Sequence, residues 1–128
     1  EINVKVGGNS ADKFGVSILR SMDGLERTEI CYDRGTNTLT LDVDAGSLDP
    51  SVPRGGLQQA PVDLGQNGSL GIRVFVDHSI VEVFANGQCI VKRVYPTKDE
   101  SRGVALFSSG GPVPVESVDC WEMKSVWD

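Results

Sequence analysis

Almost every segment of this chain alternates apolar and polar residues with a period of two. In "EINVKV" Ile2, Val4 and Val6 share a side; in "ERTEICYD" Ile30 and Tyr32 do; in "NTLTLDV" Leu39, Leu41 and Val43 do. "FGVSILR", "SLGIRVFVD", "SIVEVFA", "CIVKRVY", "RGVALFS" and "SVDCWEMKSVW" continue the series. Side chains of an extended strand point alternately to opposite faces, so this period marks half-buried strands. The runs are rich in β-branched and aromatic residues and are separated by clusters of Gly, Asn, Asp, Ser and Pro. No window of helical length carries a clean 3.6-residue repeat. The pattern predicts an all-β domain: about ten to twelve antiparallel strands packed as a two-sheet β-sandwich, of the jelly-roll, concanavalin- or galectin-like kind.

The turns are legible too. Asn86-Gly87, between two strand patterns, is a strong hairpin signal. "DRGTN" at Asp33–Asn37 and "MDG" at Met22–Gly24 read as longer hairpin loops, and Asn67-Gly68-Ser69, though a glycosylation sequon, reads as a turn. Ala45 to Pro61 is the one long irregular stretch, either a functional loop or a crossing between sheets. The run Ser79–Ala85 is apolar on both sides, with Ile80 and Phe84 flanking Glu82 on one and Val81, Val83 and Ala85 on the other. A core covers only one face of a sandwich sheet, so a loop, a second domain or another subunit is expected over the other. Val81, Val83, Phe75 and Arg73 are the residues expected at such an interface.

Composition narrows the function classes. At 128 residues the chain reads as a single domain, residues 1–128, and a net charge of −6 without a basic cluster argues against nucleic acid. No apolar run approaches the roughly 20 residues of a membrane helix, so no membrane partner is expected. Cys31, Cys89 and Cys120 have no metal-site or disulfide-framework spacing; buried free thiols are the expectation, with one disulfide plus a free thiol as the alternative in a secreted protein. Glu1 opens directly into a strand without an initiator methionine, as an excised or processed chain would.

Candidate chemistry is sparse. Asp77-His78-Ser79 supplies triad residue types, but neighbours on a tight turn point apart and rarely converge. Asp77 and Glu82 would stand about 16 Å apart along an extended strand, beyond a glycosidase pair, unless the turn folds them back. Turn-capping is expected of Asp77, and a bond to backbone or arginine of Glu82. "DVDAG" at Asp42–Gly46 begins like a calcium loop, but Pro53 stands where its closing glutamate belongs. No nucleotide, metal or cofactor motif is present, so no cofactor, no metal and no catalytic residue are assigned.

The stretch "RVFVDHSIVEVFANGQCIVKRVYP" resembles the C-terminal β-sandwich of glycoside hydrolase family 32, the invertases, inulinases, levanases and fructan exohydrolases. "FGVSILRSMDGLERTEICYD", "LTLDVDAGSLDPSV" and "GVALFSSGG…VESVDCWEMKSVW" extend the resemblance over nearly the whole chain, although "LDVDAGS" stands where many relatives carry an Arg-bearing sequence. The resemblance implies an accessory domain, the C-terminal fragment of a larger propeller-plus-sandwich glycosidase. Its partner would be an N-terminal five-bladed β-propeller of the same polypeptide, where the WMNDPNG, RDP and EC motifs that carry the catalytic acids reside; none occurs here. It also leaves room for a homo-oligomer and for a second reading, a module that binds fructan or sucrose. For that reading Trp127, Tyr95, Glu82 and Asp77 are the candidate residues, while Trp121 and Met123 alternate like core positions.

Overall fold

The structure, a computed structural model, describes residues 1–54, 57–65 and 67–124. These contain no helix and ten strands: β1 Ile2–Val6, β2 Lys13–Arg20, β3 Thr28–Asp33, β4 Thr38–Asp42 and β5 Gln58–Pro61. Then follow β6 Leu70–Asp77, β7 Ile80–Ala85, β8 Gln88–Arg93, β9 Gly103–Ser109 and β10 Val115–Cys120. One sheet runs β10-β1-β6-β7-β8 and the other β5-β4-β3-β2-β9, so the predicted two-sheet antiparallel sandwich is what the chain forms.

The period-two pattern explains the core. Val4, Ile72, Val74, Val81, Val83 and Ile90 point inward from the first sheet, and Phe14, Val16, Ile30, Tyr32 and Leu41 meet them from the second. Phe14 and Tyr32 pack at 5.4 Å between ring centroids, and the Tyr32 hydroxyl donates to Asn37 Oδ1 at 3.0 Å, which removes the cost of burying it. Asn86 and Gly87, with φ of 41° and 89°, close the β7–β8 hairpin in the doubly left-handed geometry that selects this dipeptide. The Ala45–Pro61 stretch returns to the same sheet, ending in β5 beside β4. Pro61 is tolerated because β5 is an edge strand.

The two flanks of the sandwich differ. β5 and β8 are corresponding edges of the two sheets and contact one another, which closes that flank. β9 and β10 form the opposite flank.

Candidate interaction surface

The β6–β7 register settles which side of the two-sided strand faces out. Val83 pairs with Val74 and Val81 with Val76, and Val81 and Val83 are fully buried between the sheets. The expectation that they sit at an interface with another domain is therefore corrected: a side chain inside the sandwich cannot meet a separate partner. Ile80, Glu82 and Phe84 take the outer face instead, beside Arg73, Phe75 and Asp77 of β6 and Cys89, Val91 and Arg93 of β8.

This outer face is unlike the other one. The second sheet presents mainly polar residues, Lys13, Glu29, Asp33, Thr38, Thr40 and Asp42, with Cys31, Ala105 and Phe107 partly buried among them, as an uncovered antiparallel sheet should. The first presents an aromatic and aliphatic band. Phe75 and Phe84 meet edge-on at 5.9 Å, the Arg73 guanidinium lies 4.9 Å over the Phe75 ring, and Ile80, Phe84 and Val91 are exposed. Arg73 also holds the Glu1 carboxylate at 2.6 Å, and that hydrogen bond keeps the Glu1 carboxyl below its ordinary range. Among the described residues the long loop reaches this band at its margin. Pro53 and Arg54 stand beside Ile80, Val91, Lys92, Arg93 and Tyr95 and form with them an open groove of about 560 Å³.

That margin is fastened by a residue the sequence pattern left unremarked. Glu26 is fully buried, and its carboxylate accepts five hydrogen bonds. Leu48 N, Thr97 N and Thr97 Oγ1 donate to Oε2 at 2.7–2.9 Å; Lys98 N and Ser101 Oγ donate to Oε1 at 3.1 and 2.7 Å. Burial alone would raise its pKa, but the donors from Ser101, Thr97 and Lys98 outweigh it and hold the group at about 2. One anion thus ties the loop after β4 to the loop after β8, across the two sheets. Its position was readable: Glu26 is in phase with Thr28, Ile30 and Tyr32, all core-facing, and an acid in core phase must be buried with partners.

The other expectations meet the structure as follows. The two-residue turn His78–Ser79, with His78 at φ 52°, folds β7 back on β6. Asp77 pairs with Ile80 and Glu82 with Phe75, so the two acids are diagonal same-face neighbours, roughly 7–8 Å apart rather than strung along one strand. They do not make an active site. Asp77 is exposed at the hairpin tip, with the His78 ring nitrogen Nε2 at 3.8 Å, and neither acid lines the groove. Neither makes the turn-capping or arginine bond expected of it among the described residues. Tyr95 borders the groove, away from Glu82 at the centre of the face. Trp127 lies outside the described residues. Trp121 and Met123, expected in the core, are exposed. Trp121 exchanges backbone hydrogen bonds with Glu1 and so continues β10 onto the outer side, with Ser117 and Asp119. The cysteines are free, as expected, but not all buried: Cys31 is half-buried with its thiol pKa raised by that burial, while Cys89 and Cys120 are exposed.

The chain is thus a two-sheet antiparallel sandwich domain with an apolar outer face on one sheet. The profile described as "Glycosyl hydrolases family 32 C terminal" matches residues 1–122, and the chain belongs to that family. It is 33% identical over 132 residues to a levanase of Bacillus subtilis, covering 99% of this chain and 19% of the levanase. It is 35% identical over 116 residues to beta-fructofuranosidase 1 of Zea mays, covering 86% of this chain and 16% of that protein. The chain thus spans less than a fifth of these relatives. The exo-inulinase of Aspergillus awamori superposes with a TM-score of 0.78 at 23% identity, over 88% of this chain and 22% of that one. Fructan 1-exohydrolase IIa of Cichorium intybus, solved with 1-kestose, gives 0.77 at 17% identity, over 97% of this chain and 31% of the other. Both likenesses are of fold.

Proposed function

We propose that this chain is the non-catalytic sandwich of a β-fructofuranosidase-type enzyme and that it packs on and stabilises a catalytic β-propeller upstream in the same polypeptide. The docking surface is the outer face of the first sheet, centred on Phe75, Phe84, Ile80 and Val91 with Arg73 at its side. The supporting observation is the contrast between that face and the polar face opposite. Contiguous exposed apolar surface favours a partner, and the relatives are about five times as long as the match. The bond-breaking acids belong to the upstream domain, and the parent substrate is sucrose or a fructan.

Incubation of the 128-residue chain with sucrose, inulin or levan should release no fructose; release would overturn the reading. In the longest polypeptide its gene encodes, Phe84→Glu should lower the midpoint of thermal inactivation, whereas Thr40→Glu on the polar face should not. A second reading, sugar binding, is favoured by the groove, where Tyr95 stands among the donors Arg54, Lys92 and Arg93. Calorimetric titration with levan and inulin oligosaccharides separates the two: saturable heat abolished by Tyr95→Ala supports binding, and no heat supports docking alone.

A further inference from the structure

The flank between β9 and β10 leaves the core uncapped. On β10, Val118 pairs with the buried Val4, and Val115 with the buried Val6, yet they are 41% and 46% exposed. On β9, Leu106 pairs with Val16, itself 0% exposed, and is 40% exposed. These side chains point toward the core and still meet solvent. Between the two edges lies a cleft of about 140 Å³ lined by Val4, Val6, Phe14, Ile72, Leu106 and Val115. An apolar cavity of about that size accommodates a benzene-sized group.

The backbone is unfinished on the same side. Among the described residues β9 and β10 each have one strand neighbour only. The β9 sequence "GVALFSS" contains neither charge nor proline, and an apolar, uncharged edge is a template for another strand.

We infer that this flank is completed by one extended segment of the polypeptide upstream of Glu1, which pairs with the free edge of β9 and places alternate apolar side chains in the cleft. Two features identify the occupant. The matched family is a C-terminal one, and the relatives are several times longer, so the remainder of such a polypeptide precedes Glu1. β1, which Glu1 enters, is one strand from the open flank and three from the closed one, and Glu1 exchanges backbone hydrogen bonds with Trp121 on the β10 side. The arriving chain therefore emerges beside the opening. The inference rests on the proposed membership of a longer polypeptide but concerns a different surface from the docking face.

Two cysteines report on the two surfaces separately. Cys120 pairs with the inward-facing Ile2 at the open flank, and Cys89 pairs with Phe84 on the outer face. In the longest polypeptide encoded by the gene, alkylation by iodoacetamide, mapped by mass spectrometry, should be at least ten-fold slower at Cys120 than in the same protein unfolded in urea. Leu106→Asp should restore that rate. Alternate backbone amides along β9, which lack a partner in the isolated chain, should resist hydrogen exchange in the long one. Cys120 reacting as fast as in urea would overturn the inference. So would slow alkylation with freely exchanging β9 amides, because the cover would then be a surface and not a strand. If the isolated chain dimerises in light scattering and protects Cys120 until diluted, a second copy is the occupant and the upstream segment is not. Cys89 decides the other reading independently: protection of Cys120 with a freely reactive Cys89 sinks the docking face and leaves the strand inference standing.

Discussion

The two flanks of this sandwich are built from similar strands and end in opposite conditions. On the β5/β8 side the sheets touch, and Ala60, Ile90 and Val94 are buried between them. Their edges carry the devices that discourage further pairing, Pro61 in a four-residue β5 and Lys92 and Arg93 on β8. Glu26 then ties the loops that follow β4 and β8. On the β9/β10 side the inward residues face solvent, and β9 has none of these protections. The difference teaches that hydrophobic pattern alone does not make a core. Leu106 and Val118 occupy positions in phase with buried neighbours, yet burial needs a partner on the facing sheet, and only one flank supplies it.

Loss of the Glu26 tie should have the largest effect on the contrast. Glu26→Gln keeps the shape but turns an NH₂ group toward donors, so at least one buried N–H loses its acceptor; a cost of about 3 kcal/mol is expected in urea denaturation. Protonation does the same chemically. The folded pKa of about 2 lies below the ordinary 4.5, so the contribution is complete above pH 4.5 and is lost as pH falls from 4.5 toward 2. A shift of that size corresponds to about 3 kcal/mol, so wild type should lose that stability between pH 5 and pH 2 while Glu26→Gln shows a flatter profile over the same interval. A mutant curve parallel to wild type would place the acid sensitivity elsewhere.

Much of this was legible in the alternation of residues, and the exceptions share a cause. Strand positions, the sandwich and the Asn86-Gly87 turn follow from local pattern and turn chemistry, which need only neighbours in sequence. The orientation of β7 did not follow, because Ile80 and Phe84 on one side and Val81 and Val83 on the other give the same period; the pairing with Val74 and Val76 decides it. The Asp77–Glu82 separation was counted along one strand, whereas the His78 turn makes it a distance across two. Trp121 and Cys120 carry burial-prone residue types, but their burial depends on a facing surface that no local pattern describes. Glu26 is the reverse case: an acid in core phase was visible, and its five donors come from loops more than 20 residues distant.

A matched pair of truncations gives a smaller and more direct measure of the flanks. Ile90→Ala removes a buried aliphatic side chain on the closed side, for which about 2–5 kcal/mol is the usual cost. Leu106→Ala removes a similar volume from a side chain already 40% exposed, with solvent free to fill the space, so about 1 kcal/mol is expected in the isolated chain. The smaller number carries more information, since it depends on whether the flank is occupied. In the longest encoded polypeptide, a strand seated against β9 would bury Leu106, and the cost of its truncation should rise into the range of Ile90. Chemical denaturation of both variants in both lengths of chain measures this. Equal costs for Leu106→Ala in the two contexts would mean that the open flank stays open.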